Sequence, residues 1–191
     1  MSGISAEAVV IGASAGALET LSLILPALPP GYRLPVMIVV HVPPDRKSFM
    51  AELLQAKCGV AVRQAEDKEP VSAGTVYLAP PDYHLLVESD RTLSLSDDEP
   101  VLFSRPSIDV LFESAADAYG PELIGIVLTG ASHDGAIGLR AVAEAGGTVI
   151  VQDPATAYAA AMPEAAMLQC PAARVLTPVE IASLLRDIVK A

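Results

Sequence analysis

Three polar residues stand where an apolar run ends: Ser14 in VVIGASAG, His41 in VVHVPPD and Asp134 in TGASHDGA. A hydroxyl, an imidazole and a carboxylate are the parts of a nucleophile, its general base and the group that orients the base. Gly12-Ala13-Ser14-Ala15-Gly16 also has the Gly-x-Ser-x-Gly spacing of a nucleophile elbow, in which small neighbours permit a tight turn that presents the serine oxygen. A helix starting there would aim its N-terminal N–H groups at the same point, where they stabilise an oxyanion. Each residue has a structural reading too. Serine between a strand and a helix is a good N-cap, aspartate is favoured at a helix start, and a histidine at a strand end can be a satisfied polar residue. On this reading Ser14 is expected to do both jobs, starting a helix and exposing its oxygen.

The elements that would position these residues follow from periodicity. AVVIG reads as a strand and Ala15 to Leu28 as a helix stopped by Pro29-Pro30. PVMIVVH, from Pro35 to His41, reads as a second strand, Arg46 to Ala56 as a helix and VAVRQA as a third strand. TVYLA, HLLVE and TLSLS follow a period of two and read as a small antiparallel excursion. Ile108, Leu111, Phe112, Ala115, Ala116 and Tyr119 then fall on one helix face. LIGIVLTG, apolar throughout, has the pattern of a parallel strand buried on both faces. A helix over DGAIGLRAVAEAG, strands TVIVQ and ARVLT, and a helix from Pro178 to Lys190 complete the chain. The expected fold is α/β: a doubly wound, mostly parallel sheet with helices on both faces and a small antiparallel hairpin. In such sheets ligands bind beyond the carboxyl ends of the strands, which is where Ser14, His41 and Asp134 would lie.

Composition narrows the function. A chain of 191 residues, 52% of them hydrophobic, suits one domain with a single large core. The net charge of −11 and the lack of a Lys/Arg run argue against nucleic acid as a partner. Cys58 and Cys170 are too few and too far apart for a disulfide framework or a zinc site. No basic leader precedes an apolar run, and none approaches the roughly 20 residues needed to span a bilayer, so a cytoplasmic protein without membrane insertion is expected. A dinucleotide fingerprint would need a glycine where Ser14 stands and an acid where His41 stands. The order Ser14, His41, Asp134 also departs from the Ser–acid–His order of α/β-hydrolases.

IGASAGALETL, VVHVPPDRKSFMAELL, AGTVYLAPPDYHLLV, RPSIDVLFESAA, IVLTGASHDGAIGL, EAGGTVIVQDPATA and AMPEAA, in this order, make the chain similar to the catalytic domain of CheB-type protein-glutamate methylesterases. The resemblance runs over essentially the whole chain, so residues 1–191 are expected to be a single catalytic domain of that type. It implies a Ser14-His41-Asp134 triad that hydrolyses glutamyl methyl esters on chemoreceptor helices in bacterial chemotaxis, with deamidation of receptor glutamines in some members. It implies neither cofactor nor metal. The oxyanion donors it implies are the backbone N–H groups of Ala15 and Ala131. His84, Arg105, His133 and Met162 are candidates for lining the cleft.

There are departures from the family pattern. The family commonly has a second glycine where Ala17 stands, and Gly-Met-Gly where Gly130-Ala131-Ser132 stands. Members usually carry an N-terminal receiver domain, so a separate receiver or regulator protein is expected to control this chain if control by phosphorylation exists. Two other classes stay open: an esterase or amidase acting on another protein or a small ester, and a non-catalytic receptor-binding adaptor.

Overall fold

The computed structural model describes residues 5–42 and 48–188. Its centre is a seven-stranded parallel sheet made by β1 (Ala8–Ala13), β2 (Val36–Val40), β3 (Ala61–Gln64), β4 (Thr75–Leu78), β7 (Leu123–Val127), β8 (Thr148–Gln152) and β9 (Arg174–Leu176). The strand order is β3-β4-β2-β1-β7-β8-β9. Every residue of β1, β2 and β7 is buried, which is why their sequences are apolar without alternation. β5 (His84–Val87) and β6 (Leu93–Ser96) pair antiparallel as a separate hairpin. The expected fold class is what the structure has.

Successive residues of each strand feed two cores. Val9, Ile11 and Ala13 of β1 pack with α1 (Ala17–Ile24), α2 (Met50–Gln55) and α6 (Pro178–Ile188). Ala8 and Val10 face the other layer, built by α3 (Ile108–Tyr119), α4 (Ala136–Glu144), α5 (Ala161–Gln169) and the hairpin. All six residues expected on one face of α3 are buried.

Three expectations are corrected, and one helix is added to them. TVYLA is not part of the antiparallel excursion: β4 inserts between β3 and β2, and Val76, Tyr77 and Leu78 are consecutively buried because the sheet is covered on both faces. α5 was not foreseen, since Pro163 interrupts its apolar spacing; proline is tolerated there because it lies in the first turn. α1 begins at Ala17 rather than Ala15 and passes into a 3₁₀ turn over Leu25–Ala27. α2 begins at Met50, after Ser48 and Phe49, while Arg46 and Lys47 of the expected helix lie outside the described residues, as do Val189 and Lys190 of the last one.

Candidate active site

The chain leaves β1 in one direction, towards β2, and leaves β7 in the other, towards β8. The crevice at that reversal is where a doubly wound sheet places a ligand. Ser14 directly follows β1 at this point. Its N–H donates to Thr129 O at 2.9 Å, and its carbonyl accepts from Ala17 N at 3.0 Å. Gly16, at φ +83°, makes the sharp turn into α1; a Cβ there would sit 2.5 Å from Tyr158 Cβ. The N-cap of α1 is therefore Gly16, and among the described residues no side chain caps that helix. The expectation that Ser14 itself starts the helix is corrected: the hydroxyl is not spent on capping.

Thr129 and Gln152, both fully buried, hold this turn. The Thr129 hydroxyl donates to Ala15 O at 2.8 Å and accepts from Ala159 N at 3.0 Å. Gln152, at the end of β8, accepts the Thr129 N–H at 2.9 Å. Next to Thr129, Gly130 lies against Ser14. A Cβ at residue 130 would approach Ser14 Cβ to 3.0 Å and Met162 Cε to 2.6 Å, so a larger residue would crowd Ser14 and force the end of Met162 aside. Ala15 and Ala131 flank this contact, and their N–H groups meet no acceptor among the described residues.

The β1–β2 register, with Ala13 beside Val40, sets His41 next to the Ser14 turn, and the His41 N–H donates to Ala13 O at 3.2 Å. Its ring Nε2 lies 2.7 Å from Asp134 Oδ2. Asp134 is fully buried and accepts three further bonds: from the Ser107 hydroxyl at 2.8 Å, Ile108 N at 2.6 Å and Asp109 N at 3.0 Å. The carboxylate thus sits on the N-terminus of α3. Burial pushes its pKa up, but the His41 bond and the two backbone N–H groups outweigh that and hold it below the ordinary range. Because an ionised Asp134 only accepts, His41 carries its proton on Nε2 and keeps its lone pair on Nδ1. This is the reverse of the chymotrypsin-type arrangement, in which Nδ1 faces the carboxylate.

The remaining candidates divide. Arg105 borders a cleft of about 340 Å³ together with His41, Asp82 and Phe103. Its guanidinium is committed to Asp82, at 2.6 and 3.0 Å, and to the carbonyls of Asp97 and Asp98. His133 is exposed and lines a neighbouring groove of about 500 Å³ with Leu102, Ile137 and Leu168. His84 does not reach the cleft: it is 2% exposed, accepts from Ser107 N at 3.1 Å through Nδ1 and meets Glu99 O at 3.1 Å through Nε2. Met162 is also enclosed, packed behind Gly130 with its N–H on Gly130 O. Ser107, Asp109, Thr129 and Gln152 escaped the sequence reading. A polar residue closing an apolar strand, as in TVIVQ, was the available signal for Gln152.

Among the described residues no group of three or more His, Cys, Asp or Glu side chains could hold a metal ion, and no helix is long and apolar enough to cross a membrane.

The family model for CheB methylesterase matches residues 9–185, nearly the whole described chain. The chain belongs to the CheB methylesterase family. A relative from Leptospira interrogans, named a putative protein-glutamate methylesterase/protein-glutamine glutaminase, is 47% identical over 178 residues, covering 93% of this chain and 92% of that one. A relative from Symbiobacterium thermophilum, with the same activity in its name, is 37% identical over 90% of this chain but only 47% of its own length. The crystal structure of the Thermotoga maritima CheB methylesterase catalytic domain superposes with a TM-score of 0.91 at 33% identity, covering 97% of this chain and all of that one. The Ser14, His41 and Asp134 edge thus lies within a CheB catalytic-domain fold.

Proposed function

We propose that this chain is a serine hydrolase that demethylates glutamyl methyl esters on chemoreceptor helices, and deamidates receptor glutamines by the same route. The observation that carries the reading is the 2.7 Å contact between His41 and the buried Asp134, beside a serine whose hydroxyl is not used as a cap. His41 Nδ1 takes the proton from Ser14 Oγ as that oxygen bonds to the ester carbonyl carbon. The N–H groups of Ala15 and Ala131 hold the resulting oxyanion; loss of one such donor costs about 10²–10³ in kcat. His41 returns the proton to the leaving methoxide, methanol departs and an acyl-Ser14 remains. Water, deprotonated by His41, then releases glutamate and restores the serine. With glutamine as substrate the leaving group is ammonia. Asp134, ionised throughout, favours the imidazolium that forms in each step.

The substrate puts the enzyme in the cytoplasm, with a separate receiver or regulator protein as a candidate partner. Methanol release from methylated chemoreceptor membranes tests the reading. The wild type is expected to release methanol and Ser14→Ala to fall by about 10⁴ or more, with an unchanged circular dichroism spectrum. Equal rates for the two proteins, or no release by a folded wild type, would overturn it.

A further inference from the structure

The proposed mechanism leaves one buried acid without a task. Asp109, in the first turn of α3, is 5% exposed. Its Oδ1 accepts from Gly135 N at 2.9 Å and from Gly138 N at 2.6 Å, at the start of α4. Its own N–H donates to Asp134 Oδ1 at 3.0 Å. The two acids therefore exchange places. Asp134 leads into α4 but caps α3, while Asp109 belongs to α3 but caps α4. Since Gly135 directly follows Asp134, Asp109 grips the backbone one peptide away from the carboxylate that holds His41.

We propose that Asp109 is a positioning residue of the hydrolase site, whose ionised carboxylate locks Asp134, and through it His41, in the reactive arrangement. The proposal rests on the triad reading above. Charge matters here because an ionised acceptor holds N–H groups roughly twice as strongly as a neutral one, and because it complements the positive end of α4. The charged groups facing Asp109 are Asp134 on the loop before α4, Glu113 one turn along α3, and His41 on the far side of Asp134. Burial raises the Asp109 pKa, the Gly138 and Gly135 bonds resist, and the charges of Asp134 and Glu113 add to the rise, which brings it to about 6. Asp109 thus takes up its proton near pH 6, well above the pH at which an exposed carboxylate does.

Labelling of Ser14 by a fluorophosphonate tests this without a receptor substrate. Rate constants are measured from about pH 5 to about pH 8 for the wild type, Asp109→Asn and Ser107→Ala. Asp109→Asn keeps an acceptor oxygen for both glycine N–H groups but cannot ionise. It is expected to label about tenfold more slowly than the wild type at the upper end. That gap is expected to close below about pH 6, where the wild type also carries a neutral side chain. Ser107→Ala removes one Asp134 donor and leaves Asp109 able to ionise, so its ratio to the wild type is expected to show no step near pH 6. A constant ratio for Asp109→Asn would reduce Asp109 to a structural part and overturn the proposal. Should that variant not fold, the wild-type profile decides: an acid limb steeper than a single protonation supports the proposal, and a single-proton limb overturns it. Failure of the wild type to label at any pH would remove the triad reading, and this proposal with it.

Discussion

At the start of α1 the cap is Gly16, no side chain among the described residues is bonded there, and Ser14 stands two residues ahead. At the start of α3 the N–H groups of Ile108 and Asp109 are both taken by the fully buried Asp134. Physically the two ends are alike, each offering unpaired donors and the positive end of a helix dipole. They differ in what meets those donors. The α3 end holds a permanent anion that is itself a working part, while the acid in the first turn of α1, Glu19, is exposed and not bonded to the cap, which leaves that end open to a negative charge that exists only during the reaction. One helix terminus organises the acid, the other is kept clear for the oxyanion.

Making the two ends alike is the way to break the comparison. Asp134→Ala leaves Ile108, Asp109 and Ser107 without their buried acceptor and frees His41. A stability loss of about 3 kcal/mol is expected by urea denaturation, together with a fall of about 10⁴ in kcat for methanol release. A stability change near zero would mean that water replaces the carboxylate without cost. Crowding the open end comes next. Gly130→Ala would drive a Cβ against Met162 and Ser14, and kcat/KM is expected to drop about 10²-fold with a stability loss of about 1–2 kcal/mol. Unaltered kinetics would show that Met162 swings aside and that the contact does not set the serine. The smallest effect sharpens the picture of the filled end: Ser107→Ala removes one of four Asp134 bonds, and a thermal or urea melt is expected to show a loss of about 1 kcal/mol.

How much of this was legible in the sequence depended on whether the signal was local. His41 and Asp134 could be read because each interrupts the chain just beyond an apolar strand, and a parallel sheet brings such ends to one edge. The α3 face could be read because helical spacing is a property of neighbours. Ser14 was assigned the cap on residue preference, whereas the left-handed turn at Gly16 moved the helix start two residues on. β4 was misplaced because period-two reading takes a short apolar segment for a hairpin strand, and only the sheet shows that it is covered on both faces. Ser107 and Asp109 carry no local signal of a role in the site. Their partner, Asp134, lies 27 and 25 residues further on, and no spacing rule carries that information.

That distance has a consequence for how the molecule comes into being. The His41–Asp134 contact joins residues 93 apart, and the sheet beneath it is parallel throughout, so every pairing that supports it closes a long loop. Such topologies assemble slowly, after loop-closure entropy has been overcome. A nascent chain folded only as far as β2 has the serine and the histidine but not the acid, because Asp134 and its α3 cradle have yet to be made. Under the proposed mechanism, hydrolytic competence then waits for Asp134 and its α3 cradle, and the onset of Ser14 reactivity during refolding would time that long-range step.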